Sequence, residues 1–317
     1  MPQPPNAAPQ PSGPPRPPSL EELSHLPSNW GRWGRGDQRG TANLVDGAAR
    51  ARAALEVRSG RSVSLALPVR PVPFSGAGPL AQQTATVPAP AHHLISHTGS
   101  PPPAVVDVLL LNNHNGRSTH LDALVHVPLS GSGGTYVYPG VPLHEAVGPT
   151  GITHGSTTPL ADGIVTRGVL LDLAPGGALA EGHPVSGADL GAALEVTGVA
   201  LEPGDAVVVR GGWVVGERSG ERLPGLTVGA VTWLHERDVS VYLGDVGDAQ
   251  PPVEREVPLP LHQVGLARLG MPLVDSVAVE DLAAACRQEG RSTFMLVIAP
   301  PRVEGLTGVP VNPQAIF

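Results

Sequence analysis

"NNHNGRSTHLDALVHV", residues 112–127, places His114, His120, Asp122 and His126 close together directly after the apolar run "AVVDVLLL". The run reads as a strand. If the chain stays extended beyond it, the even-numbered residues from 114 to 126 share one face and the four side chains converge. Imidazole and carboxylate donors suit zinc, manganese or iron, and a further histidine supplies a group that moves protons near neutral pH. The same spacing also suits a glycine-containing loop that carries polar residues to water, and H-x5-H-x-D-x3-H is not a standard zinc pattern. On spacing alone both readings stand.

The rest of the composition narrows the class. A chain of 317 residues with 41% apolar content can bury a full core. All 20 basic residues are arginine, and a net charge of −8 leaves no basic stripe for a phosphate backbone, so nucleic acid is not an expected partner. Cys286 is the only cysteine, which excludes an intrachain disulfide and a multi-cysteine zinc site; its place in "VEDLAAAC" reads as core. No segment has the ~18 apolar residues of a membrane span and no signal-peptide pattern opens the chain, so a cytoplasmic protein is expected.

Residues 1–19 are so rich in proline that they read as a disordered tail ahead of a domain over 20–317. Ser19 and Glu22 then suggest a capped helical turn. "NWGRWGRGDQRGTANLV" has neither helical nor strand period, and its Trp30 and Trp33 either plug a core edge or line an aromatic pocket. "DGAARARAALEVR", "SGADLGAALEVTG", "LTVGAVTWLHERD" and "SVAVEDLAAACRQEG" read as helices, the last capped by Ser276 and closed by Gly290. "RSVSLALPV", "RGVLLDLA", "GDAVVVRGGWVV", "VSVYLGDV" and "STFMLVIAP" read as further strands. Strands outnumber helices without strict alternation, which predicts a mixed α/β (α+β) domain: a central mixed or barrel-like sheet flanked by helices.

The motifs resemble the cyclase family of metal-dependent hydrolases, whose members include bacterial kynurenine formamidase and isatin hydrolase. "STHLDALVH" is similar to the core of its H-x-G-T-H-x-D-x-x-x-H motif. "NWGRWGRGDQRGTANL", "DGIVTRGVLLDLA", "EPGDAVVVRGGW", "LPLHQVGLARLGMPLVDSVAVEDLA" and "TGVPVNPQAIF" resemble, in order, further segments of its longer members. The resemblance implies a swivelling β/β/α type of fold, with His120 and Asp122 as metal ligands and His126 as the proton-transfer residue. The first ligand position of the motif is Gly116 here, and Ser118 replaces the usual glycine. His114, two residues earlier, could take over as ligand. His262 and Asp275 match the distal histidine and acid, with aspartate in place of glutamate.

The resemblance implies one divalent metal, zinc or manganese, held by His120, Asp122 and His262 with help from His114 or Asp275; the rival arrangement is a metal-free pocket using His126 and Asp122 alone. The expected activity is hydrolysis of an amide, cyclic amide or ester bond of a small aromatic substrate. A cyclase or dehydratase of secondary metabolism and a catalytically silent binding relative are the alternatives. Trp30 and Trp33 would wall the substrate, and Arg167, interrupting an apolar strand, is either a structural ion pair or a clamp on a substrate carboxylate. The expected partners are the small-molecule substrate and further copies of the chain in a homodimer or homotetramer. His92, His93 and His97 are expected in solvated turns, His144, His154 and His183 in glycine-rich loops, and His235 on a helix surface.

Overall fold

A computed structural model of the chain describes residues 23–73, 89–98, 104–213 and 222–317. The proline-rich tail and the turn at Ser19 and Glu22 lie outside the described residues. Twelve strands matter for the argument. They are β1 (Ser62–Ser64), β2 (Val72–Pro73), β3 (Ala91–Thr98), β4 (Ala104–Leu111), β5 (His120–Asp122) and β6 (Ile164–Asp172). They continue as β7 (Ala206–Arg210), β8 (Val241–Gly244), β9 (Leu273–Asp275), β10 (Thr293–Ile298), β11 (Gly308–Pro310) and β12 (Gln314–Ile316).

Nine of these form one sheet in the order β1-β12-β10-β6-β7-β8-β9-β5-β11. The run β6-β7-β8-β9 is parallel and every other neighbour is antiparallel, which is the mixed sheet the sequence predicts. The sheet curls into a half-barrel. Ala66, just past the first strand in the order, bridges Val277, just past the seventh.

Helices cover both faces, so the central strands are apolar without alternation. β7 shows this best: all five of its residues are buried. Val207 and Val209 join a core with Leu190, Val231 and Leu261, while Ala206 and Val208 join another with Leu282, Phe294 and Phe317. Leu190 lies on α2 (Gly187–Thr197) and Val231 on α3 (Val228–Glu236); α1 is Gly47–Ala54. A capping box between Ser186 and Asp189 starts α2, and Gly198, left-handed at φ 67°, ends it.

Two local expectations need correction. Ser276 does not cap α4 (Glu280–Glu289), whose N-cap is Val279. Ser276 instead adopts φ 58°, turning the chain sharply after β9, and its hydroxyl donates to the Gly116 carbonyl at 3.1 Å. His92, His93 and His97 lie on β3 rather than in turns; His92 is buried and His93 is paired with Asp107 at 3.0 Å. Cys286 is buried in the second core, and burial pushes its thiol up to about 12, as a core residue requires.

Candidate functional site

The chain does not stay extended past β4. It leaves the strand at Leu111 and turns through an Asx turn, Arg117 N donating to Asn115 Oδ1 at 2.9 Å. It then enters the large sheet as β5. His114 therefore reaches the site by a fold-back rather than by strand alternation, and Gly116 and Ser118 belong to the turn. On β5, His120 and Asp122 share a face while Leu121 points into the second core. β9 and β11 flank β5, so register sets Asp275 beside His120 and Gly308 beside Asp122. A π-helical segment, Pro260–Leu269, brings His262 over the opposite side of Asp122. Such wide turns are frequent at functional sites.

Asp122 is the hub. Its carboxylate is fully buried, with His114 Nδ1 2.8 Å from Oδ1, His120 Nε2 at 3.6 Å and His126 Nε2 at 3.8 Å. His262 Nε2 lies 3.5 Å from Oδ2 and 3.1 Å from Asp275 Oδ2. Three of the four imidazoles have their far nitrogen occupied. His120 Nδ1 meets the Ser118 carbonyl at 2.7 Å, His262 Nδ1 meets Asp248 Oδ2 at 2.6 Å, and His114 Nε2 meets Thr307 Oγ1 at 2.9 Å. Gly308 makes the space for this, because a Cβ there would come within 2.4 Å of His114 Cε1. The rings of His114 and His126 stack with centroids 3.5 Å apart.

The electrostatics follow from this packing. Burial alone would raise the Asp122 carboxyl; contacts with His114 and His262 and the fields of His120 and His126 outweigh it and hold the group well below the usual carboxylate range. Burial lowers His126 to about 4, against the pull of Asp122 and with the repulsion of the other histidines. His262 goes the other way: burial opposes its charge, but Asp275, Asp122 and Asp248 together raise it well above its ordinary value.

Donor atoms of His114, Asp122 and His126, and of His120, Asp122 and Asp275, lie within 4.8 Å of one another, so either group could hold a metal ion. A cavity of about 430 Å³ opens beside them, lined by His126, His262 and Asp275 and by an apolar wall that includes Val127, Trp213, Leu223 and Leu259.

The structure thus brings together His114, His120, Asp122, His126, His262 and Asp275. It leaves out three residues expected at the substrate. Trp30 and Trp33 pack on the first core instead of lining the cavity; the Trp30 indole donates to the Ala267 carbonyl at 2.7 Å. Arg167 projects from β6 onto Asp205, with Nη2 2.6 Å from Oδ2, and forms a structural ion pair. The aromatic wall comes from Trp213. Its backbone N–H donates to Asp245 Oδ2 at 2.8 Å, and Asp245 also accepts from Gly211. Burial raises Asp245 to about 6 in spite of these donors.

Asp245, Asp248, Trp213 and Thr307 escaped the sequence reading. For the two acids a signal existed: "YLGDVGD" places them directly after the C-terminal end of a parallel strand, where sites in open α/β sheets gather.

The family model described as "Putative cyclase" matches residues 63–250, and the chain belongs to this family. Among solved structures, one described as a novel cyclase is 28% identical, with TM-score 0.75 over 92% of this chain and 99% of its own. An isatin hydrolase bound to the product analogue thioisatinate is 20% identical, with TM-score 0.57 over 83% of this chain and 94% of its own. Isatin hydrolase A from Labrenzia aggregata is 18% identical, with TM-score 0.56 over 80% and 93%. No curated protein sequence matches the chain significantly. Among the described residues, no helix is long and apolar enough to cross a membrane.

Proposed function

We propose that the protein is a metal-dependent hydrolase that opens an amide, cyclic amide or ester bond of a small aromatic substrate with water. The observation that carries this reading is Asp122 Oδ2, a buried carboxylate oxygen with no hydrogen-bond partner among the described residues. His262 Nε2 stands 3.5 Å from it without a hydrogen bond, so the oxygen keeps a position that a cation can take. Around it stand imidazoles whose outer nitrogens are fixed by a carboxylate, a carbonyl and a hydroxyl, the usual support of metal-binding histidines. The donor set therefore fits a divalent ion, and its nitrogen and oxygen atoms suit zinc or manganese.

His120, Asp122, His262 and Asp275 would hold the ion, with His114 supplying the donor that Gly116 lacks. When bound, such an ion polarises a carbonyl and acidifies water. The chain's own part is proton transfer and orientation. His126 is neutral at physiological pH and lines the cavity with Nε2 3.8 Å from Asp122 Oδ1. It takes the proton of the attacking water and returns it to the leaving nitrogen or oxygen. Trp213, Leu223 and Leu259 offer a flat apolar wall to an aromatic ring and limit water. The presence of His114 where Gly116 has no donor argues against a silent binding relative.

The test is elemental analysis of purified protein together with hydrolysis of a panel of N-aryl formamides, fused cyclic amides and aryl esters. About one divalent ion per chain, lost in His120→Ala and Asp122→Ala, with metal-dependent turnover of a panel member, is the expected result. Full activity in chelator would overturn the reading. Net ring closure, seen as loss of water in the product mass, would assign the same site to a cyclase.

A further inference from the structure

The turn that carries Trp213 to the cavity is fastened by a carboxylate from the neighbouring strand. β7 and β8 are parallel, with Val209 beside Gly244, so the chain leaving β7 through Gly211–Trp213 runs past Asp245 at the end of β8. Gly212 is left-handed at φ 73°, and a Cβ there would run into the Gly177 carbonyl oxygen, so only glycine fits. This conformation aims the two flanking amides at one group: Gly211 N–H donates to Asp245 Oδ1 at 2.6 Å, and Trp213 N–H donates to Oδ2 at 2.8 Å. A concave pair of backbone amides is an anion seat, and here a side-chain carboxylate fills it. Burial raises that carboxyl only to about 6, so it is ionised at neutral pH. The ring of Trp213 is held at its other end, where Nε1–H donates to the Leu179 carbonyl at 3.0 Å. Among the described residues, Trp213 is the only Phe, Tyr or Trp that lines the cavity, and Asp245 lines it too.

From this geometry we infer that Asp245 is a positioning residue that sets the preference of the cavity for planar aromatic substrates, acting through Trp213. The inference rests on the reading of this cavity as the substrate site. With its backbone fixed by Asp245 and its indole edge fixed by Leu179, the Trp213 ring is held in one orientation before any ligand arrives. An aromatic ring then docks without the cost of ordering the wall it packs on. Loosening the turn restores that cost for a ligand that needs the wall and leaves other ligands unaffected.

Substitution at both positions tests this. Asp245→Asn keeps the shape but removes the charge and sets an amide N–H against one of the two backbone donors. For a substrate with an aryl group it should raise KM about tenfold, as loss of one charge-assisted hydrogen bond would, with kcat within about threefold. KM for an alkyl compound with the same scissile bond should stay within about twofold. In a Trp213→Ala background the same change should leave the aryl KM unaltered, because both substitutions act through one ring. Calorimetric binding of oxindole, a planar uncharged cyclic amide, reads the same loss as an about tenfold rise in Kd and needs no turnover, so failure of the hydrolase reading would leave this test intact. Asp245→Glu keeps the charge and serves if the asparagine variant does not fold; its extra methylene displaces the turn and should also raise the aryl KM and the oxindole Kd. Equal losses for aryl and alkyl substrates, an undiminished loss in the Trp213→Ala background, or unchanged oxindole binding in a folded variant would overturn the inference. Wild-type protein that does not bind oxindole at millimolar concentration would overturn it as well.

Discussion

Asp248→Asn isolates the support of His262 without altering any of the proposed donors to the ion. Asp248 accepts from Leu261 N at 2.7 Å and from His262 N at 3.3 Å, which anchors the start of the π-helical segment, and its Oδ2 meets His262 Nδ1 at 2.6 Å. Asparagine keeps one acceptor oxygen for the backbone but sets an amide N–H against the Nδ1–H of His262. The ring then favours the other tautomer, with its proton on Nε2, the nitrogen that faces Asp122 and Asp275. That nitrogen loses its free lone pair. Loss of such an outer partner typically weakens metal binding 10–100-fold, or about 1.4–2.7 kcal/mol. Competition against a chromophoric chelator measures this directly. Turnover at limiting metal should fall in parallel and recover when metal is added in excess. A folded Asp248→Asn protein with metal affinity within about twofold of wild type would refute the reasoning, because His262 would then not depend on Asp248 for its tautomer or would not bind metal.

Other changes separate the remaining roles. His114→Ala should weaken metal binding, and Gly308→Ala should do the same from outside the donor set, since its Cβ would meet the His114 ring at 2.4 Å; chelator competition on both checks this. His126→Ala should retain the metal and lower turnover by about 10² to 10⁴, read by steady-state kinetics beside elemental analysis. In metal-free protein, His126 has a folded value of about 4, below its ordinary 6.5, so the folded form resists a proton that the unfolded chain accepts. Its cost is absent above pH 6.5 and grows as pH falls toward 4; metal-free wild type should therefore lose Tm faster than His126→Gln across that window. Arg167→Met should cost about 2 kcal/mol, on the order of 4–8 °C in Tm, because buried Asp205 loses its shortest ion pair while keeping Arg52 at 3.1 Å and the Glu202 N–H, with turnover per folded molecule unchanged.

The fold was legible where burial on two faces leaves an unbroken apolar run, as in β7 and β8, and where caps such as Ser186 and Gly198 mark helix ends. The site was legible in its short motif, because His120 and Asp122 lie two apart on one strand and share a face. His114 reached the same place for another reason: an Asx turn folds it back, and extended-chain geometry has no access to that. Trp30 and Trp33 misled because aromatic residues in a loop suit a core edge as well as a pocket, and only tertiary packing chooses between them. Arg167 has its answer in Asp205, a partner 38 positions away that no local pattern names. Ser276 looks like a cap from sequence, yet the sharp turn after Asp275 uses it first.

The placement of β5 between β9 and β11 has a bearing on how the protein is made. The motif that carries His120 and Asp122 is complete early in synthesis, but the strands that flank it come from the C-terminal part of the chain, and Thr307 and Gly308 shape the seat of His114. Contacts so distant in sequence close late and fold slowly. A nascent or truncated chain holds the histidine motif without the geometry that brings its donors together, so on the proposed reading ion capture would coincide with completion of the sheet and report that the chain has folded.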